Sequence, residues 1–311
     1  MAEGAGRRVR AADVLAVGFV LLAVGVAGWA LREDLPALGA AIGTIGWWRA
    51  AGAFALVVLG LLATAQVWRR CLDALGHRVG WAAARTIFFP AQVGKYLPGA
   101  VWPLLAQARF ARRYGVPARS ALVAGAVFLA VHVVTSVVVS AGLLFADRGL
   151  LSGYGWAGLA AVLVLPLLHP AVVTAIVRRL GKDSGLPALT WSALLRPMGW
   201  MVPAWLAYGA AGLLAAAPFT GATARLGGLA TSGFALSWLV GLVVVFAPAG
   251  LGAREAVLVL VLGPALGVVA ATAVGLLLRV CHTVADMGLA LVHGVFGGSR
   301  SVAEYGEGAP G

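Results

Sequence analysis

The residues of this sequence that could do chemistry are the ionisable side chains set inside long apolar runs. A charge at the centre of a membrane helix costs about 2.5–3.5 kcal/mol on insertion scales, so each one needs a partner or a use. Lys95, one of two lysines in the chain, lies in Gly94-Lys95-Tyr96-Leu97-Pro98-Gly99, within an apolar stretch at about 86–108. Arg254 and Glu255 close the run Pro248-Ala249-Gly250-Leu251-Gly252-Ala253-Arg254-Glu255. Arg279, His282, Asp286 and His293 recur at spacings of three, four and seven, which puts them on one helical face.

Each group has two readings. Lys95 either snorkels to the membrane interface or presents a cation to an anionic headgroup inside a cavity. Arg254 and Glu255 either cap a short helix, the carboxylate favouring its positive end, or act at a site where Arg254 binds phosphate and Glu255 holds a basic partner. On the last helix, Arg279 and Asp286 form an internal pair with His282 between them, or the stripe lines a substrate path with Asp286 coupled to protons. His132 and His169, each alone in its segment, read as packing or interface residues. Trp47, Trp48, Trp68, Trp81 and Trp102 fall near expected span ends and read as interfacial anchors.

The elements that must position these residues follow from composition. The chain has 311 residues, 61% hydrophobic and only 11% charged, with a mean hydropathy of +0.96. A soluble domain carries about a quarter charged residues. Stretches of roughly twenty apolar residues recur from end to end, the length that crosses a bilayer as a helix. The expected fold is an all-α polytopic membrane protein with about seven or eight transmembrane helices plus one or two Pro/Gly-broken re-entrant segments. Ordinary spans are read at about 13–31, 50–67, 120–146, 155–177, 198–217, 226–247 and 267–295. The organisation is a basic terminus over 1–12, one membrane domain over 13–297 and a flexible tail over 298–311.

The net charge of +12 does not point to nucleic acid, because the basic residues sit in short clusters between apolar runs. Fifteen of them, from Arg7, Arg8 and Arg10 through the groups at 69–85, 109–119 and 178–196, fall on one side. Arg32, Arg49, Arg148 and Arg225 make four on the other. That asymmetry places the amino terminus in the cytoplasm, and the excess of Arg over Lys, 21 to 2, reads as the codon bias of a GC-rich bacterial genome and so a bacterial inner membrane. The asymmetry also favours a re-entrant path for 86–108, since a full crossing would carry one arginine cluster to the wrong side. The turn would use Gly94, Pro98 and Gly99. Pro248, Gly250 and Gly252 mark a second turn, and whether 248–265 is re-entrant or spanning stays open. Paired breaks of this kind point to a binding site between two halves of a transporter.

Cys71, expected in a loop, and Cys281, expected in a helix, suggest no disulfide, and no Cys/His spacing suggests a metal. No cofactor is expected. Gly-x-Ser-x-Gly, a phosphate-cradling loop and His-Glu-x-x-His are all missing from the sequence, so no enzyme activity is expected.

The two broken segments resemble a known family. Gln92-Val93-Gly94-Lys95-Tyr96-Leu97-Pro98-Gly99-Ala100-Val101-Trp102 looks like the first motif of the membrane region of lysylphosphatidylglycerol synthases and their free-standing flippase-like relatives. Pro248 to Glu255 resembles the second, usually Pro-Gly-Gly-x-Gly-x-x-Glu, with Ala249 replacing a usual Gly. Arg279 falls where the family places an arginine in its last long helix. The resemblance implies a helical domain that moves phospholipids or related lipid carriers between leaflets. The aminoacyl-transferring domain of the full-length synthases has no counterpart in the sequence, so lysyl transfer is not implied. The expected function is a lipid translocase or lipid-binding transporter, with Lys95, Arg254, Glu255 and Arg279 at a headgroup or phosphate and His282 and Asp286 supporting them. The alternatives are a membrane component of envelope glycan assembly handling polyprenyl-phosphate-linked sugars, and a structural membrane subunit. Expected partners are membrane lipids, with envelope glycosyltransferases or a separate lipid-modifying enzyme as candidates, and no nucleic acid.

Overall fold

The computed structural model describes residues 35–97, 101–146, 190–244 and 247–306, with isolated positions between 169 and 179. The spans expected at 13–31 and 155–177 fall outside the described residues or almost wholly so, as do Pro98 and Gly99. Every described element is helical. They are α1 (Leu35–Ile45), α2 (Trp47–Ala74), α3 (Trp81–Gln92), α4 (Trp102–Ala111), α5 (Ala118–Ala146), α6 (Trp191–Thr220), α7 (Ala224–Val243), α8 (Ala253–Leu266) and α9 (Val268–Gly306). Among the described residues five helices are long and apolar enough to cross a membrane, namely α2, α5, α6, α7 and α9. The protein is a polytopic membrane protein.

Helices that exchange lipid for one another gain no hydrophobic drive and associate through close packing, so small residues gather at their contacts. The long contact between α2 and α6 follows this rule. Ala53, Val57 and Ala65 are wholly buried on one helix, and Ala211, Ala215 and Ala216 on the other. The Tyr208 ring lies over Gly60, where a Cβ would collide with it. Thr64 reaches across to the Tyr208 hydroxyl at 3.0 Å. Helix starts use ordinary caps: the Thr190 hydroxyl accepts from Ala193 N at 3.3 Å, and that of Thr223 from Leu226 N at 3.1 Å.

Two expectations about this region are corrected. Cys71 lies inside α2 and is fully buried, because α2 continues to Ala74, past the loop boundary near residue 67. Trp68 is not an interfacial anchor. It is completely buried and packs against Phe88, with ring centroids 6.1 Å apart. Trp47 and Trp48 open α2 and are 83% and 52% exposed. At the other end α9 runs on to Gly306, beyond the boundary drawn at 297.

The stretch at 86–108 is two short helices. α3, α4 and the 3-10 turn Val93–Tyr96 between them are each too short to span: twelve and ten residues give about 18 and 15 Å against a hydrocarbon core of about 30 Å. Contacts along α9 trace the path. Pro90 lies beside Gly294, Phe89 stacks on His293 at 5.3 Å, and Lys95 reaches Asp286. The chain therefore runs inward beside α9 and turns near Asp286. It then leaves through α4, which packs on both α3 and the first turns of α5. Leu97 is extended (φ −89°, ψ 147°), the conformation favoured before a proline.

The second broken stretch is also a returning path. Gly241 on α7 lies against Arg254, and Gly233 further back lies against Val261 and Leu258. α8 thus runs antiparallel to α7 and returns toward the level where α7 began. Gly267 (φ +82°) then reverses the chain into α9, whose Gly275 sits against Glu255 and Leu258.

Candidate functional site

α9 brings the two breaks together. Its stripe of Arg279, His282 and Asp286 faces inward. Asp286 takes the first break: Lys95 Nζ lies 2.6 Å from its Oδ2, and the Tyr96 hydroxyl donates to the same oxygen at 2.8 Å. Arg279 takes the second, its Nη1 donating to the Ala249 carbonyl at 2.9 Å while its Nε stands 3.6 Å from Glu255 Oε1. The seven-residue step from Arg279 to Asp286 spans about 10 Å along the helix, and the two 3-10 turns touch each other. Arg279 lies about 16 Å along α9 from Val268, well inside the span.

These pairings replace the one expected within α9. Arg279 and Asp286 do not pair with each other; each is engaged by a different break. Glu255 makes two contacts. Its Oε2 accepts from Gly252 N at 2.7 Å, closing the first turn of α8, while Oε1 faces Arg279. His293 shares the face but stacks on Phe89, away from the charged group.

The backbone of the second break is strained. Ala249 adopts the left-handed conformation (φ 51°, ψ 25°), followed by Gly250 at φ +71° and Gly252 at φ +82°. The substitution flagged in the motif therefore keeps a glycine-type turn with a residue that carries a Cβ. A second close approach makes room for Arg254. Gly241 has no side chain where the arginine stem passes, and a Cβ there would lie 2.6 Å from Arg254 Cγ.

Between the two breaks, walled by residues of α2 to α9, lies a cavity of about 170 Å³. Lys95 and Arg254 line it, together with Gln92, Gln107, Thr64, Tyr208, His132 and His282 among apolar neighbours. No carboxylate lines it among the described residues. Both acids of the cluster are turned to Lys95 and Arg279, so five charges leave one positive in excess. That surplus falls on Arg254, whose Nε is buried without a hydrogen-bond partner.

Sequence reasoning read His132 as a packing residue and did not single out Gln107. His132 is 4% exposed, stacks on Trp238 at 3.9 Å and meets Trp205 and Phe128 edge-on. It packs as expected, yet both its ring nitrogens are buried without a partner and it lines the cavity. Gln107, 1% exposed, also has an unpartnered Oε1. For Gln107 a signal was available, a polar residue inside a broken apolar segment. His282 packs its ring on Phe234 at 5.0 Å, with Nδ1 2.9 Å from the Leu278 carbonyl. His169 is exposed near Trp191 and takes no part in the site.

Two interrupted segments meet over a cation-lined cavity inside a bundle of apolar helices, the architecture of a polytopic membrane protein. The chain matches the family of the lysylphosphatidylglycerol synthase TM region over residues 14–289, and it belongs to that family. No curated protein matches it.

Proposed function

We propose that the protein is a lipid translocase or lipid-binding transporter whose cavity takes the phosphate of a lipid headgroup. The observation that carries this reading is the excess cation. Arg254 sits on the cavity wall with an unpartnered Nε, and no carboxylate shares that wall among the described residues. A buried cation without a counter-ion is costly, and a phosphate would supply the missing charge and acceptors together. Lys95 lines the same space. Glu255, Arg279 and Asp286 hold the frame in charge balance, and no covalent step is required. The cavity has room for a headgroup only, so the acyl chains would lie between helices. Membrane lipids are then the partners. The arginine asymmetry of the loops supports an amino terminus in the cytoplasm, and the excess of Arg over Lys supports a bacterial inner membrane.

Translocation of a headgroup-labelled anionic phospholipid in proteoliposomes tests this. Wild-type protein is expected to move the label, with Arg254→Ala slowing it at least tenfold and Arg254→Lys keeping part of the rate, a charge-assisted contact being worth about 1.5–3 kcal/mol. Equal rates for wild type and Arg254→Ala would remove Arg254 from the site.

A further inference from the structure

A second recess, of about 510 Å³, lies where the last turns of α2 meet the first turns of α6. It shares no lining residue with the cavity between the breaks. Its wall carries four arginines, Arg69, Arg70, Arg78 and Arg196, against one carboxylate, Asp73, among the described residues. Basic residues gather in loops to orient a membrane chain, which accounts for their presence on this face. It does not account for three separate pieces of chain bringing them to one hollow: the end of α2, the loop after it and the start of α6.

The arginines divide into a fixed pair and a free pair. Arg69 donates from Nε to the Val79 carbonyl at 2.8 Å and from Nη1 to Gln66 Oε1 at 3.4 Å, while Arg70 donates from Nη1 to Asp73 at 3.0 Å. A guanidinium carries more N–H donors than these bonds use, so both are held in place with donors to spare. Arg78 and Arg196 are exposed and make no hydrogen bond or ion pair among the described residues. Helix α6 adds its positive end: its first turn has no acidic residue, and Thr190 and Ser192 line the recess. Four arginines less one carboxylate leave three positive charges uncompensated on this wall.

We infer that the recess is a second anion site, taking a phosphate group at the membrane face where α2 ends and α3 begins. Several acceptor oxygens on one centre suit guanidinium forks that converge from two helices. Beside the recess, Trp191 and Leu195 of α6 are 54% and 56% exposed, an apolar flank for the chains of a lipid. A soluble phosphate compound would use the recess alone. The site does not depend on the reading of Arg254.

Binding to purified full-length protein in detergent tests it. Dihexanoyl phosphatidic acid is the lipid probe, and sn-glycerol 3-phosphate carries the same phosphate group without acyl chains. In Arg254→Ala protein, which lacks the cavity's unpaired cation, one saturable phosphate site is expected to remain. Adding Arg78→Gln and Arg196→Gln, surface changes with little effect on folding, should weaken that site about tenfold or more, the scale of one or two charge-assisted contacts. Arg109→Gln with Arg112→Gln removes the same charge from exposed positions where the α3–α4 hairpin leaves, and should leave the affinity unchanged. Equal weakening by the two pairs would reduce the recess to diffuse surface charge and overturn the inference. Loss of all binding in Arg254→Ala alone would also overturn it, while leaving the cavity reading intact. If Arg254→Ala binds as wild type does and the recess pair abolishes binding, the recess stands and the cavity reading fails. Tighter binding of phosphatidic acid than of glycerol phosphate supports the site as one for a membrane lipid, and equal affinity supports it as one for a soluble phosphate compound. Saturation by neither probe overturns it.

Discussion

At the first break the cation is Lys95, held 2.6 Å from a carboxylate that is itself 1% exposed and also bonded to Tyr96. At the second it is Arg254, whose Nε is buried with no partner among the described residues, while the neighbouring carboxylate of Glu255 is turned to Arg279. The glycines differ in the same sense. Gly94 has no need of a left-handed backbone, but its missing Cβ lets the turn approach Trp102 and Pro103. The second break needs left-handed torsions at Ala249, Gly250 and Gly252. Similar Pro/Gly designs have thus been put to different uses. The first joins the hairpin of short helices to α9 through Lys95 and Asp286, and the second sets Arg254 on the cavity wall.

The largest expected effect tests the joint. Lys95→Met leaves Asp286 buried without its counter-ion, and breaking one half of a buried pair costs about 3–5 kcal/mol. Unfolding in detergent should show this loss for Lys95→Met and a much smaller change for Arg254→Met, which removes a cation that was not paired. Adding Asp286→Leu to Lys95→Met should recover much of the stability. Equal losses for the two cation variants would erase the distinction between the breaks.

The glycines give the next effect. A Cβ on Gly94 would lie 2.9 Å from Pro103 N and 3.0 Å from the Trp102 carbonyl carbon, backbone atoms that cannot turn aside. Gly94→Ala should cost about 1–3 kcal/mol, the range for overpacking. Gly241→Ala meets a side chain instead, at Cγ and Nε of Arg254, which can swing away at lower cost. Its stability loss should be the smaller of the two, yet lipid translocation should fall as it does in Arg254→Ala, because the guanidinium is displaced. If Gly241→Ala transports normally, the position of Arg254 is not what the second break sets.

The charged half of the site was legible in the sequence because the membrane makes charges conspicuous. Lys95, Arg254, Glu255, Arg279 and Asp286 were visible as ionisable residues in apolar runs, and the spacing on α9 put three of its members on the face where the structure has them. Which charge meets which was not legible. Helical spacing offers Arg279 and Asp286 to each other at seven residues, and only the tertiary arrangement of two separate turns makes better partners available. The neutral half was harder still. His132 reads as packing, and it does pack, so nothing local distinguishes a satisfied buried histidine from one with free nitrogens. Helix ends such as that of α2 were misplaced for a similar reason. Arg69 and Arg70 read as the start of a loop, but Arg69 donates to the Val79 carbonyl and Arg70 pairs with Asp73, so the helix continues through them.

The smallest effect bears on the second break alone and has the opposite sign to the others. Ala249 at φ 51° sits where an L-residue pays about 1–2 kcal/mol. Ala249→Gly removes that strain but adds backbone freedom to the unfolded chain, worth about 0.5–1 kcal/mol. The balance is a gain of about 0.5–1 kcal/mol, readable as a raised midpoint in the same detergent unfolding. Gly250→Ala, one residue on, should do the reverse, since φ is +71° there and a Cβ would lie 2.7 Å from Gly241 Cα. Opposite signs at adjacent residues are hard to produce by any general loosening of the turn. A loss of stability in Ala249→Gly would mean that the Cβ does packing work that outweighs the torsion. The carbonyl of Ala249 would then be aimed at Arg279 by side-chain contact rather than by backbone strain.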